Sequence, residues 1–314
     1  MATTLAGRAP RSGLIDRLRT SFDLRWYAAA TTLVTYGLIV LGGTVRSTGS
    51  GEACPDWPLC HGQVIPPMEA KVWVEFSHRL VATLIGFMIL GLIYGIWRRR
   101  QQDPLLWKLA IAAGVLLIAQ VLVGGATVDT KTAAGVVAIH LSIALTFLTI
   151  LIIITARLFR AADQGILRPE VLPVIVLAGV FALVISGAFV SQRHAGLAYP
   201  DWPLFDGGVT PSSSESGQLH YLHRIIAGGV GLLYLGLFIA AIRAKVDQRV
   251  IWLLTFSGVL IAAQALVGAL NVWLELATSV RILHLALASA VWAVLAFTMA
   301  WAYQNGLRLT KGTS

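Results

Sequence analysis

Pro55-Asp56-Trp57-Pro58-Leu59 returns as Pro200-Asp201-Trp202-Pro203-Leu204, 145 residues further along the chain. At the same offset His78-Arg79 matches His223-Arg224; at an offset of 144, Gln120 matches Gln264 and His140-Leu141 matches His284-Leu285. A set that keeps its order and spacing over so much of the chain is an internal repeat. Between its copies lie four apolar segments. That is an even number, so both halves run through their surroundings in the same sense, as parallel repeats related by a pseudo-twofold axis along a membrane normal do.

The surroundings follow from composition. Of 314 residues, 57% are hydrophobic and only 12% are charged, and the mean hydropathy is +0.76. A water-soluble domain cannot cover that much apolar side chain with so little polar surface. Runs of roughly 20 apolar residues, long enough to cross the hydrocarbon core, recur along the chain. The reading is an all-α integral membrane protein whose eight transmembrane helices span about 26–46, 73–97, 105–128, 134–158, 171–192, 219–242, 250–272 and 279–303. They form two pseudo-twofold-related four-helix bundles.

The net charge of +9 would suit a nucleic-acid partner, but its distribution argues against one. Basic residues gather at Arg8, Arg11, Arg17, Arg19 and Arg25, at Arg98, Arg99, Arg100 and Lys108, at Arg157, Arg160 and Arg168, at Arg243, Lys245 and Arg249, and at Arg308 and Lys311. These are the termini and alternate loops, the positive-inside pattern, which puts both termini in the cytoplasm and the excess charge against lipid head groups. The expected organisation is a basic cytoplasmic segment 1–25, an N-terminal bundle 26–160, a C-terminal bundle 171–303 and a cytoplasmic tail 304–314. No small-residue cleavage site follows the first apolar stretch, so it reads as a retained helix. The two long outside loops are 47–72 and 193–218.

Four of the seven histidines fall inside apolar helices: His78, His140, His223 and His284. Each is expected about 6–10 Å below the outer end of its helix. An ionisable residue in such a segment costs about 2.5–3.5 kcal/mol to insert, so it is partnered or functional. Opposed neutral imidazoles ligate a heme iron from its two faces, the second ring nitrogen being held by a hydrogen bond. Hydrogen bonding across helices is the plainer reading, and the presence of a pair in both halves weighs against it. The spacing is not HExxH, and two cysteines are too few for a structural zinc site; copper stays open. Gly42-Gly43, Gly124-Gly125, Gly187, Gly228-Gly229 and Gly268 mark faces where a flat macrocycle or another backbone can approach. Arg46, Arg79, Arg193 and Arg224 are candidates for propionate carboxylates, with snorkelling to head groups as the alternative.

The halves differ at one acid. Glu75 precedes His78 by three residues and shares its helix face, where the second half has His220. A carboxylate there handles protons in catalysis or merely satisfies a helix N-terminus. Cys54 and Cys60, the only cysteines, flank the first Asp-Trp-Pro segment; an extracytoplasmic position permits a disulfide, either as a staple worth at most about 2 kcal/mol or as a redox pair. The second loop has Tyr199 and Phe205 there. The Asp-Trp-Pro segments read as lids, their tryptophans suited equally to heme and to the membrane interface.

Gly42-Gly43-Thr44 with Arg46, the Cys54–Cys60 loop, Glu75-Phe76-Ser77-His78-Arg79, Gly124-Gly125-Ala126-Thr127, His140, His223 and His284 together resemble the heme A synthase family, over essentially the whole chain after residue 25. The resemblance implies a multi-pass cell-membrane enzyme of cytochrome oxidase biogenesis that oxidises the C8 methyl group of heme O to the formyl group of heme A. It implies a resident heme b on His223 and His284, and the substrate heme O on His78 and His140 with Glu75 as catalytic residue, on the extracytoplasmic side. It also implies a heme O synthase as partner, an external electron donor and a terminal oxidase as end user. Some members carry a second cysteine pair in the later outside loop; here it is missing. Two other classes are set beside this one. A di-heme b-type membrane electron-transfer cytochrome needs no Glu75, but four histidines at one surface make no relay across a bilayer. A transporter would place its polar groups near the midplane on interrupted helices.

Overall fold

The computed structural model describes residues 23–160 and 166–310. Eight helices account for most of them: α1 Leu24–Ser47, α2 Ala70–Trp97, α3 Pro104–Asp129, α4 Ala134–Leu158, α5 Val171–Gln192, α6 Glu215–Arg243, α7 Gln248–Trp273 and α8 Thr278–Gln304. All eight are long and apolar enough to cross a membrane. The sequence places α4 and α5 at their observed ends, and α2 and α6 begin three and four residues earlier than expected. The difference has a local cause at α6: the Ser214 hydroxyl accepts the Gly217 N–H, a polar N-cap that hydropathy does not register. The basic residues up to Arg19, and Lys311, lie outside the described residues.

Burial separates two kinds of helix surface. Leu33, Phe87, Leu90, Ile118, Leu232 and Val259 are largely exposed on the outside of the assembly, an apolar belt that water would not tolerate and a bilayer satisfies. Inside, α1 packs on α2, α4 and α8, α4 on α3, α5 and α8, and α8 on α5 and α7. The central helices α4 and α8 are joined by the Trp292 indole N–H, which reaches the Leu145 carbonyl at 3.2 Å and the Thr149 hydroxyl at 3.0 Å. The Tyr36 hydroxyl of α1 donates to the Ala286 carbonyl of α8 at 3.1 Å. Around these contacts Ile39, Leu145, Leu148, Val180, Leu295 and Trp292 form one continuous core.

At the opposite end from the long loops, Asp103 caps α3 by accepting the Leu106 N–H and receives the Arg157 guanidinium of α4 at 2.6 and 2.9 Å. The Glu170 carboxylate, just before α5, accepts the Leu309 and Thr310 N–H groups and the Thr310 hydroxyl, so the chain after α8 is tied beneath α5.

Candidate functional site

The two long loops are built alike, from their aspartates upward. Asp56 accepts the N–H groups of His61 at 2.6 Å and Gly62 at 2.7 Å; Asp201 accepts those of Asp206 at 2.8 Å and Gly207 at 2.9 Å. Those four acceptor contacts hold two tight turns in which both central residues have positive φ, 56° and 67° at His61 and Gly62 and 58° and 72° at Asp206 and Gly207. The backbone N–H groups of Gly62 and His61 keep the Asp56 carboxyl below the usual carboxylate range, and those of Gly207 and Asp206 do the same for Asp201.

Each loop is then tied down to a helix by one arginine. Arg79 donates to the carbonyls of Asp56 at 2.8 Å, Leu59 at 2.5 Å and Cys54 at 3.2 Å. Arg224 donates to the carbonyls of Asp201 at 2.9 Å and Leu204 at 2.8 Å. Two of the four positions proposed from sequence for propionates, Arg79 and Arg224, thus serve first as loop anchors. Arg224 keeps a buried Nη2 without a partner, as Arg46 keeps its Nε. Arg46 otherwise donates to the Ser191 carbonyl at 3.2 Å, and Arg193 forms an exposed pair with Glu215 at 3.5 Å.

Below the loops the four helical histidines occupy matched places. His78 and His223 stand eight residues past the first residue of α2 and α6, and His140 and His284 six past that of α4 and α8. At 1.5 Å per residue this is about 9–12 Å down the helix. Each ring lies against a glycine of the preceding helix. A Cβ added at Gly42, Gly124, Gly187 or Gly268 would stand 3.1, 3.1, 3.0 or 3.3 Å from the Cε1 of His78, His140, His223 or His284. Four glycines of the sequence-read set therefore do one job, giving the imidazoles room. Gly43 and Gly125 serve packing instead, against Leu285 and Trp57, while Gly228 and Gly229 face open space. His78 lies within electrostatic range of His140, and His223 of His284.

Glu75 is buried at 5% exposure. Its Oε1 takes the Arg79 Nη2 at 2.7 Å and its Oε2 the Cys54 N–H at 2.9 Å. His220 in the second half takes the Arg224 Nε at 3.1 Å. The substitution preserves the anchor contact and removes the carboxylate. Cys54 and Cys60 form a disulfide and are fully buried. At the corresponding positions Tyr199 and Phe205 make an edge-on ring contact, centroids 5.2 Å apart, so aromatic packing closes the second loop where a covalent bond closes the first. The lid tryptophans reach across to the third helix of their half, Trp57 against Gly125 of α3 and Trp202 edge-on to Trp273 of α7.

Three polar neighbours of the histidines carry roles that sequence reading did not assign. The Gln120 amide lies 3.1 Å from His140 Nε2, and the Gln264 amide 3.3 Å from both ring nitrogens of His284. Both glutamines were visible in the repeat, which was the signal for them. Ser186, 2.8 Å from His223 Nδ1, has Leu41 as its counterpart and left no such trace. Among the described residues no group of three or more His, Cys, Asp or Glu forms a metal cluster.

A multi-pass membrane protein with four glycine-backed histidines below two loops tied to its helices is what fold and site define. The chain belongs to the cytochrome oxidase assembly protein family, whose model matches residues 25–295. It is 31% identical over 291 residues to a heme A synthase of Geobacillus kaustophilus, covering 88% of this chain and 90% of the relative. It is 30% identical over 300 residues to one of Geobacillus thermodenitrificans, covering 91% and 93%. A heme A synthase of Alkalihalophilus pseudofirmus is 29% identical over 283 residues, covering 87% and 95%. The resemblance read from the sequence motifs is shown over residues 25–295.

Proposed function

We propose that this protein oxidises the C8 methyl group of heme O to the formyl group of heme A. The observation that carries the reading is one asymmetry between the two sites: both present histidines backed by glycine, and only the first has a buried carboxylate, Glu75, one turn from a histidine. His78 and His140 hold the substrate heme, and His223 and His284 hold a heme b. The residues present suit such groups. Glycine lets each imidazole pack close against the preceding helix, the donors are neutral nitrogen ligands favoured by iron, and Arg46 and Arg224 retain buried N–H groups that match propionate carboxylates.

When bound, heme b supplies one-electron chemistry. The chain's own residues do the rest. Turning the methyl into a formyl group removes two hydrogens and four electrons and adds one oxygen atom. Molecular oxygen, reduced to water with electrons and protons from outside, would supply that atom, and Glu75 is the group placed to handle the protons. Arg79 and the Cys54 N–H fix the direction of its two oxygens. The lid over 54–60 keeps bulk water from the substrate.

In the arrangement proposed, residues 26–160 and 171–303 are two four-helix bundles related by a pseudo-twofold axis. The termini are cytoplasmic and the heme sites lie toward the outside. A heme O synthase delivers the substrate and an external donor supplies electrons. Co-expression with a source of heme O, followed by separation of the extracted hemes, tests the activity: a formyl heme is expected. Its absence from membranes that hold both the protein and heme O would refute the assignment.

A further inference from the structure

Ser186 on α5 makes two contacts with one hydroxyl. Its Oγ donates to the Leu183 carbonyl at 2.8 Å and lies 2.8 Å from His223 Nδ1. A carbonyl only accepts and a serine has a single proton. With that proton on Leu183, the Oγ can only accept from the imidazole, which must carry its hydrogen on Nδ1. The lone pair of His223 is thereby placed on Nε2. In the first half Leu41 stands where Ser186 stands in the second, and the buried Nδ1 of His78 has no hydrogen-bond partner.

We propose that Ser186 is a positioning residue that locks the tautomer and ring plane of His223. It makes the C-terminal pair a tight holder of heme and leaves His78, which lacks such a partner, the weaker ligand of the two. The inference rests on the heme reading above and deepens it: one pair is built to retain its heme, the other to exchange it. A hydrogen bond to the far nitrogen of a ligating histidine typically changes metal affinity by about 10–100-fold.

The test uses the full-length protein in detergent, in a His78→Ala, His140→Ala background so that the C-terminal pair alone is read. The rate of heme transfer to apomyoglobin and the carbon monoxide reactivity of the reduced heme are measured for wild type, Ser186→Ala and Ser186→Thr at position 186. Ser186→Ala is expected to release heme about 10-fold faster and to bind carbon monoxide more readily, with Ser186→Thr close to serine. In the complementary background, His223→Ala with His284→Ala, Leu41→Ser is expected to slow release from the N-terminal pair. Should Ser186→Ala accumulate poorly, Ser186→Val against Ser186→Thr gives the same comparison at equal volume. Equal release rates for serine, alanine and threonine overturn the role of Ser186. Heme retained undiminished after alanine replaces His223 and His284 overturns the site reading instead.

Discussion

Glu75 and Arg79 meet at 2.7 Å, one turn apart on α2, and both reach upward to the same loop, the carboxylate to the Cys54 amide and the guanidinium to three carbonyls. The acid placed beside the first histidine pair is therefore also a structural tie. A substitution there has to separate the two roles.

Glu75→Gln does so. The amide oxygen can still accept the Cys54 N–H, so the loop and heme content are expected to stay, while formyl product falls by about a hundredfold or more with the loss of the proton acceptor. Glu75→Ala additionally leaves the Cys54 N–H buried without a partner, a penalty of about 1–3 kcal/mol. Heme-normalised turnover distinguishes the two; a glutamine variant at full activity counts against a proton-handling role.

Replacing Arg79 attacks the anchor. A lysine cannot reproduce a fork that serves three carbonyls and a carboxylate, and alanine leaves Glu75 as a buried charge without its partner. The expected destabilisation for Arg79→Ala is about 3 kcal/mol. Protease sensitivity of the 54–69 segment should rise with it, and should rise in part for Arg79→Lys. Unchanged proteolysis of both variants would contradict the anchoring contacts.

The glycines behind the imidazoles make a selective prediction. Gly187→Ala puts a methyl group about 3.0 Å from the His223 ring, so the imidazole must shift, at about 1–3 kcal/mol, and the heme bound by the C-terminal pair should fall sharply. Gly228→Ala, where nothing stands within 4 Å, should leave heme content unaltered. Pyridine hemochrome assays of the purified variants decide it.

Acid should open the loops late. Because backbone N–H groups depress the carboxyls of Asp56 and Asp201 below their ordinary value, their contribution is complete above the unfolded pKa of about 3.9. It is lost only as pH falls through the lower, folded value. Loop proteolysis or tryptophan emission should thus stay flat from neutrality to about pH 4 and change below it. Asp56→Asn, with one acceptor oxygen in place of two, should loosen the first loop at neutral pH. A loop transition centred near pH 6 in wild type would be inconsistent with these contacts.

The helices were legible because a bilayer permits little else: an apolar run of sufficient length has to satisfy its backbone internally. The matched places of the four helical histidines, and Gln120 with Gln264, were legible because duplication wrote them twice. Ser186 was not, since Leu41 stands in the other copy and a serine in an apolar helix is ordinary. Nor did the sequence disclose that Arg79 and Arg224 tie down loops. A guanidinium beside a histidine looks the same whether its partner is a carboxylate or a set of carbonyls folded back from 20 or more positions earlier. The order of the loop residues was visible, but where their carbonyls point depends on the turns that Asp56 and Asp201 build.

Closing one loop with sulfur and the other with rings has a consequence for how the molecule meets its surroundings. Both sulfurs are buried, so a thiol could break and rejoin the Cys54–Cys60 bond only after the loop opens; Tyr199 and Phe205 have no such chemistry. A reductant that did reach the bond would act on one half of the protein and pass the other by. Its effect would arrive at the amide that Glu75 holds, three positions from His78.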